Sequence, residues 1–147
     1  MAKRSPKTRR RPSQTVGSTR TVVVVCRGGD CGNRTKHPGL DHPAQLREIR
    51  TSLDRPVGQV DVVSSSCLDA CEHSNVVVVL PGPEGRSAGG APVWVGQVND
   101  PETTHDLISW VSAGGPGLAT EPTLVDIATF RPTRLNRQEL DEATGLA

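Results

Sequence analysis

The feature that most constrains this 147-residue chain is a continuous apolar run, TVVVVC, at residues 21–26. Branched side chains such as those of Thr and Val favour β-strands. A strand that is apolar at nearly every position needs both of its faces covered, as in parallel sheets flanked by helices. A second run of this kind, NVVVVLPG, occupies residues 75–82. The two runs therefore predict an α/β domain whose sheet is buried on both sides.

Two further strands are predicted from shorter apolar segments. Residues 58–63, GQVDVV, form one of them, and residues 92–98, PVWVGQV, form the other. The loop at residues 81–92 is rich in Gly and Pro, which mark turns. We therefore predict that the strands at 75–82 and 92–98 pair as an antiparallel hairpin.

Two helices are predicted from capping signals and apolar spacing. Asp41 is a suitable N-cap for the first, Pro43 fits its first turn, and Arg55–Pro56 ends it. Asp100 caps the second, with Pro at the first helical position and a Gly–Gly–Pro stop after it. In both segments the apolar residues recur on one helical face, as expected of helices packed on a sheet.

The element order is βαβ followed by ββα, and it predicts the fold class. A right-handed crossover makes the first two strands parallel, and the hairpin adds two antiparallel strands. The result is a four-stranded mixed sheet flanked by helices, the thioredoxin-like arrangement. We assign this domain to residues 21–115. Residues 116–147 form a C-terminal extension, in which a short strand near 124–127 and a helix in LNRQELDEA are predicted.

Charge is distributed unevenly along the chain. Residues 1–20 contain seven Lys or Arg and no acid, whereas residues 21–147 contain 10 basic and 16 acidic side chains, a net charge of −6. We interpret residues 1–20 as a disordered, solubilising basic tail; an arm that binds nucleic acid or an anionic surface is the alternative. One Phe, two Trp and no Tyr provide little surface for stacking single-stranded nucleic acid. Nucleic acid is therefore not the expected partner.

The sequence also bears on the compartment. The basic tail has no apolar segment of the kind found in secretory signals. No apolar run approaches the roughly 18 residues that a membrane helix needs. We therefore expect a soluble, cytoplasmic protein without a membrane span, in which persistent disulfides are not expected.

The four cysteines follow the first two strands. Cys26 ends the first strand and Cys31 lies in the loop after it, a C-x4-C spacing. Thirty-five residues later, Cys67 and Cys71 follow the second strand with a C-x3-C spacing. Because the carboxyl ends of parallel strands lie at the same edge of a sheet, we expect all four thiols to gather there.

Four gathered thiolates repel one another unless a cation neutralises them, and zinc and iron–sulfur clusters are the centres that take four such ligands. Structural zinc commonly uses tighter C-x2-C knuckles, so both spacings favour a [2Fe–2S] cluster, in which each iron takes two cysteines. Gly28, Gly29 and Gly32 allow backbone amides to approach cluster sulfurs. Zinc stays the alternative. A thiol–disulfide exchanger is less suitable, because it uses C-x2-C at a helix N-terminus.

Three histidines near the cysteines are considered as alternative ligands and set aside. His37 and His42 lie after Cys31, and His73 lies after Cys71. Histidine ligands occur in some [2Fe–2S] centres, but four cysteines suffice, and we expect the loop histidines to be exposed to solvent. His105 is expected on the surface of the second helix, and Trp94 and Trp110 are expected in the core.

The two cysteine motifs in this strand context resemble the thioredoxin-like [2Fe–2S] ferredoxin family, which is related to the small iron–sulfur subunit of NADH dehydrogenase. The resemblance extends over roughly residues 20–115, and NVVVVLPGP and PVWVGQV are similar to the family's last two strands. It departs at Asp69, where the family often has glycine. The resemblance implies a [2Fe–2S] cluster whose ligands are Cys26, Cys31, Cys67 and Cys71.

The resemblance also implies a function: one-electron transfer between redox proteins such as a reductase or an oxidoreductase, often by a homodimer. The sequence contains no Ser/His/Asp arrangement and no G-x-S-x-G elbow. We therefore predict an electron carrier and not an enzyme. The alternative is a non-catalytic zinc- or cluster-binding module with an interaction or regulatory role.

Overall fold

Four strands form one mixed sheet in the order β2–β1–β3–β4. The computed structural model describes residues 20–53 and 60–145. The predicted basic tail, apart from its last residue, and the segment between the first helix and the second strand lie outside the described residues. The strands are β1 (Thr21–Cys26), β2 (Val60–Ser65), β3 (Val77–Leu80) and β4 (Val93–Val95).

The pairing of the strands confirms the predicted topology. β1 is parallel to β2 and antiparallel to β3, and β3 is antiparallel to β4. β1 is therefore a central strand, and its residues Val22–Val25 are at most 1% exposed. This is the doubly covered environment that its apolar sequence predicts.

The predicted caps are present in the helices that flank the sheet. Asp41 accepts a hydrogen bond from Ala44 N at 3.0 Å, and Asp100 accepts one from Thr103 N at 2.7 Å. Each carboxylate satisfies an amide that the first helical turn leaves without a partner. The helices are α1 (His42–Leu53), α2 (Pro83–Ser87), α3 (Pro101–Ser112), α4 (Thr123–Ala128) and α5 (Arg134–Thr144), with a 3₁₀ turn at Cys71–His73.

The two faces of the sheet have separate cores. Helices α1 and α3 cover the first face, where Ile49, Leu107 and Trp110 are at most 2% exposed. The second face is covered by the segment that carries the second cysteine pair and by α5. Leu68 and Leu140 are 0% and 5% exposed in the core of that face. The core of the second face also includes Cys26 and Cys31.

Two predictions about irregular segments are wrong. The segment near residues 124–127, predicted as a strand, is helix α4. This helix begins directly after Pro122, and Val125 is its buried residue, which anchors the short helix to the core. The Gly/Pro-rich loop at residues 81–92 contains the short helix α2, which begins at Pro83, where proline is tolerated in a first turn.

The C-terminal extension packs against the rest of the domain. Trp110 Nε1 donates a hydrogen bond to Ala119 O at 3.0 Å, and the predicted terminal helix is confirmed as α5. The division of the chain near residue 115 stays a prediction. Among the residues that the structure describes, no helix has the length and apolarity needed to cross a membrane.

Candidate metal centre

The parallel pairing of β1 and β2 brings two cysteine-bearing loops to one edge of the sheet. Cys26, the last residue of β1, is the register partner of Ser65, the last residue of β2. The loops then touch at Gly28, where a Cβ would overlap the backbone of Cys67. A glycine is needed at this position for the loops to approach so closely. The structure thus brings the four thiols to one place, while their role as ligands stays a prediction.

The second cysteine pair is compact and partly exposed. The Sγ atoms of Cys67 and Cys71 are 3.7 Å apart, and both residues have intermediate exposure. The backbone of Gly29 lies directly against them: a Cβ there would stand 2.7 Å from Cys71 Sγ and 3.0 Å from Cys67 Sγ. Gly29 also has φ +62°, which a side chain would disfavour. The two loops therefore form one surface around this pair.

The first cysteine pair is buried. Cys26 and Cys31 are 2% and 4% exposed, and Cys26 Sγ lies 3.6 Å from Ser66 O. The interaction with the Cys31 thiol, opposed by burial, lowers the pKa of Cys26 to about 6. The same interaction, together with burial, raises the pKa of Cys31. The pair therefore holds one negative charge far more easily than two.

The two pairs also act on each other through their charges. In addition to the interaction with Cys26 and burial, the charge of Cys71 raises the pKa of Cys31. In addition to burial, the charges of Cys71 and Cys26 raise the pKa of Cys67. Like charges at such range disfavour simultaneous ionisation. Negative charge on one pair therefore disfavours ionisation of the other, and a bound cation would relieve this repulsion.

Backbone amides donate hydrogen bonds to one sulfur of each pair. Asp69 N donates to Cys67 Sγ at 3.3 Å, and Val76 N donates to Cys31 Sγ at 3.3 Å. Amides aimed at sulfur stabilise the thiolate form, which is the form that binds metal. Asp69, where the resemblance leads one to expect glycine, adopts φ +61°, so the amide keeps its aim although the residue is not glycine.

A cation that the sequence reasoning missed lies beside the first pair. The Arg27 guanidinium donates hydrogen bonds to Cys26 O at 3.1 Å and to His42 O at 3.2 Å. Burial lowers the pKa of Arg27, and the charges of Cys31 and Cys26 oppose that change. Its position directly after Cys26 was the only sequence signal for this role.

An asparagine network positions the first loop. Asn75, fully buried, accepts a hydrogen bond from Gly32 N at 2.5 Å. Its amide nitrogen donates to Asn99 Oδ1 at 2.7 Å and lies 3.3 Å from His42 Nε2. These bonds join the loop after β1 to the segments that flank β3 and β4. The sequence carried no signal for them, because the partners are far apart along the chain.

The histidines differ in part from their prediction. His42 is 2% exposed, so its predicted exposure is wrong: it is the first residue of α1 and lies under the loop. His37 Nε2 is 2.9 Å from Ser74 Oγ, and His73 stacks on Phe130 with ring centroids 3.8 Å apart. Predictions for the other residues are confirmed: the His105 side chain is 76% exposed, and Trp94 and Trp110 are each 2% exposed.

The second cysteine pair has the spacing of two ligands on one soft metal. Two thiolates bound tetrahedrally to one metal at about 2.3 Å lie about 3.8 Å apart, and the sulfurs of Cys67 and Cys71 are 3.7 Å apart. Across residues 20–53 and 60–145, no group of three or more His, Cys, Asp or Glu side chains is arranged to hold a metal ion. The pair Cys67 and Cys71 is therefore spaced to act as one chelating unit, and the binding of a metal by all four thiols stays a prediction.

Comparison with solved structures places the fold. A variant of the thioredoxin-like [2Fe–2S] ferredoxin from Aquifex aeolicus matches with a TM-score of 0.51 at 18% identity, over 76% of this chain and 99% of that one. Another structure of such a ferredoxin from this organism matches at 22% identity and a TM-score of 0.49, over 78% of this chain and 96% of that one. No protein-family model and no curated protein matches this chain. The first likeness confirms the predicted thioredoxin-like fold.

Proposed function

We propose that this chain binds a [2Fe–2S] cluster through Cys26, Cys31, Cys67 and Cys71 and carries single electrons between redox proteins. The observation that carries the proposal is the arrangement of the sulfurs as two adjoining pairs, one of them with its sulfurs 3.7 Å apart. A [2Fe–2S] centre has two irons that each take two cysteines. The solved structure with the same fold is a ferredoxin named for such a cluster.

The protein's own groups are suited to holding such a centre. Amides of Asp69 and Val76 donate to sulfur, and Arg27 adds a positive charge beside the buried pair. The cluster, when bound, would supply reversible one-electron redox chemistry. Hydrogen bonds and nearby positive charge stabilise its more negative, reduced state. These residues would therefore set the potential at which the protein accepts an electron.

The two pairs differ in their access to solvent. Cys26 and Cys31 are buried, whereas Cys67 and Cys71 have intermediate exposure. We propose that electrons enter and leave on the side of Cys67 and Cys71, where a partner can approach most closely. The partners would be a reductase or an oxidoreductase, and homodimerisation is part of the same proposal. We place the carrier in the cytoplasm, where thiols stay reduced.

A zinc-binding interaction module is the second candidate, because the 3.7 Å separation of Cys67 and Cys71 sulfurs equally fits two thiolates on one zinc ion. It differs from the ferredoxin proposal in a simple way. A zinc protein would be colourless and redox-inactive, whereas an iron–sulfur protein absorbs visible light and bleaches on reduction.

The deciding experiment uses protein purified without air. Iron, acid-labile sulfide and zinc are assayed in the same sample, and visible spectra are recorded before and after reduction. We expect two irons and two sulfides per chain, and their loss when any one of the four cysteines is replaced by serine. Ser66→Ala, at an exposed residue next to Cys67, is the matched control and should retain the cluster. One zinc without colour would establish the second candidate, and a metal-free protein would contradict both.

A further inference from the structure

We infer that Asn136, in the C-terminal helix, positions the peptide group that hydrogen bonds to Cys67 and thereby tunes the centre at these cysteines. This inference rests on the proposed function. It concerns the extension at residues 116–147, which lies outside the family resemblance.

The start of α5 holds Asn136 in one orientation. Asn136 N donates a hydrogen bond to Thr133 Oγ1 at 3.0 Å, and Asn136 Oδ1 accepts one from Thr133 N at 2.8 Å. This reciprocal pair is a capping box. Because the carboxamide oxygen is engaged on its own helix, the amide nitrogen must point away from it.

The amide nitrogen points into the second cysteine loop. Asn136 Nδ2 donates to Leu68 O at 3.0 Å and to Asp69 O at 2.8 Å. The residue is 4% exposed, so these two carbonyls replace water as its partners. Both donors of the amide, and its oxygen, are thus used. A buried side chain with every polar group satisfied has little freedom to move.

One of these carbonyls belongs to the peptide that faces sulfur. The Leu68 carbonyl and the Asp69 N–H are the two ends of a single peptide group. The carbonyl accepts from Asn136 at 3.0 Å, and the N–H donates to Cys67 Sγ at 3.3 Å. Hydrogen bonds in a chain polarise one another. Asn136 therefore orients this N–H and also strengthens its bond to the sulfur.

The backbone of the loop needs such support. Asp69 has φ +61°, a left-handed conformation that is unfavourable for residues other than glycine. Conformations of this kind persist where the surroundings over-determine them. The two bonds from Asn136 hold the carbonyls on either side of the Asp69 Cα, so they provide that constraint where the loop lacks a glycine.

Helix α5 is also docked by apolar packing that does not involve the amide. Leu140, one turn beyond Asn136, is 5% exposed and lies in the same core as Leu68. Removing the Asn136 amide should therefore leave the helix in place. This makes the hydrogen-bonding role separable from a general loss of structure.

The test uses full-length protein loaded with iron and sulfide, and it compares three variants. Asn136→Leu and Asn136→Ala remove the donors to the loop without adding charge. Gln138→Ala removes an exposed carboxamide from the same helix and leaves Asn136 and its capping box intact, so it is the matched control. The readouts are the reduction potential and the rate at which a chelator removes iron, with far-ultraviolet circular dichroism to verify folding.

For both Asn136 variants we expect a more negative potential, because the weakened N–H bond stabilises the reduced state less. Iron should be lost roughly 10–100-fold faster, the usual effect of removing a group that orients a metal ligand. Gln138→Ala should keep the wild-type potential. Wild-type values in the Asn136 variants, or an equal shift in Gln138→Ala, would overturn the inference while the cluster proposal stands. A wild-type chain without iron and sulfide would overturn the proposed function itself.

Discussion

Arg27 donates a hydrogen bond to Gln45 Oε1 at 2.8 Å, and this contact fixes a positive charge beside the first cysteine pair. Gln45 is 5% exposed, and its amide nitrogen in turn donates to Val98 O at 2.9 Å and to Thr104 Oγ1 at 3.1 Å. The guanidinium is therefore held by a buried residue of α1 that is itself bound to the segment before α3 and to α3.

Replacing Arg27 should change the redox behaviour of the proposed centre. Arg27→Gln removes the positive charge near Cys26 and Cys31, and the reduced centre carries one more negative charge than the oxidised centre. We therefore expect a more negative reduction potential, measured by redox titration of the cluster-loaded protein. Arg50→Gln removes the same charge from an exposed position on α1, about 12 Å along the helix from His42, whose carbonyl Arg27 contacts. Equal shifts in the two variants would contradict a local role for Arg27.

Gly29 should be essential for holding the second pair. A methyl group in Gly29→Ala would stand 2.7 Å from Cys71 Sγ and 3.0 Å from Cys67 Sγ, so at least one sulfur must move. We expect iron retention to fall roughly 10-fold or more, as for other changes that displace metal ligands. The measurement is iron and sulfide per chain after purification without air.

Gly89 provides the control for backbone strain. It has φ +90°, compared with φ +62° at Gly29, but a Cβ at Gly89 would meet no atom within 4 Å. Gly89→Ala should therefore cost about 1–2 kcal/mol of folding stability through its left-handed backbone and should retain iron. If both alanine variants lose iron to the same extent, strain and not contact with sulfur explains the effect at Gly29.

His42 should make the metal-free, reduced chain less stable in mild acid. Burial lowers its pKa below 6.5, and Arg27, His37 and Arg34 add to the effect against Asp41. A histidine that is neutral in the folded chain binds more protons when the chain unfolds. The stability that His42 contributes is therefore complete above about pH 6.5, and it is lost as the pH falls below that value. Urea unfolding at pH 7.5 and 5.5 should show this loss of stability.

Two histidine variants isolate that contribution. His42→Gln keeps a polar side chain but cannot titrate, so its loss of stability between pH 7.5 and 5.5 should be smaller than that of the wild type. His105→Gln, at a side chain that is 76% exposed, is the matched control and should lose as much stability as the wild type. If His42→Gln loses as much stability between pH 7.5 and 5.5 as the wild type does, groups other than His42 cause the loss.

The sheet and the gathering of the thiols followed from local patterns. Apolar runs such as residues 21–26 identify buried strands by composition alone, and a parallel βαβ unit places the ends of its strands at one edge. The proximity of the two cysteine motifs could therefore be predicted without side-chain detail. Helix α4 could not, because six residues with one buried apolar side chain, Val125, carry too little periodicity to distinguish a helix from a strand.

The groups around the cysteines depend on contacts between distant parts of the chain. Asn136 reaches Asp69 across 67 positions, and Asn75 reaches Gly32 across 43. Asparagine has no periodic pattern that marks it for burial, so neither contact has a sequence signature. His42 was misjudged for a related reason: its burial comes from the loop above α1 and from Asn75, and not from its own neighbours in sequence.

The acidic body of the chain, residues 20–147, should set how fast the protein reacts with charged electron acceptors. A variant without residues 1–19 has 11 basic and 16 acidic residues, a net charge of −5, whereas the full chain has +1. At low salt, a negative protein attracts a cationic acceptor and repels an anionic one. Raising the ionic strength shortens the Debye length to about 8 Å at 0.15 M and weakens both effects.

For the variant, oxidation by hexaamminecobalt(III) should therefore slow with salt, on the order of tenfold, and oxidation by hexacyanoferrate(III) should speed up. Stopped-flow rates across a salt series measure both. The full chain should respond less, because its basic residues offset the acidic body. Salt effects of the same sign for the two acceptors would show that net charge does not steer this protein.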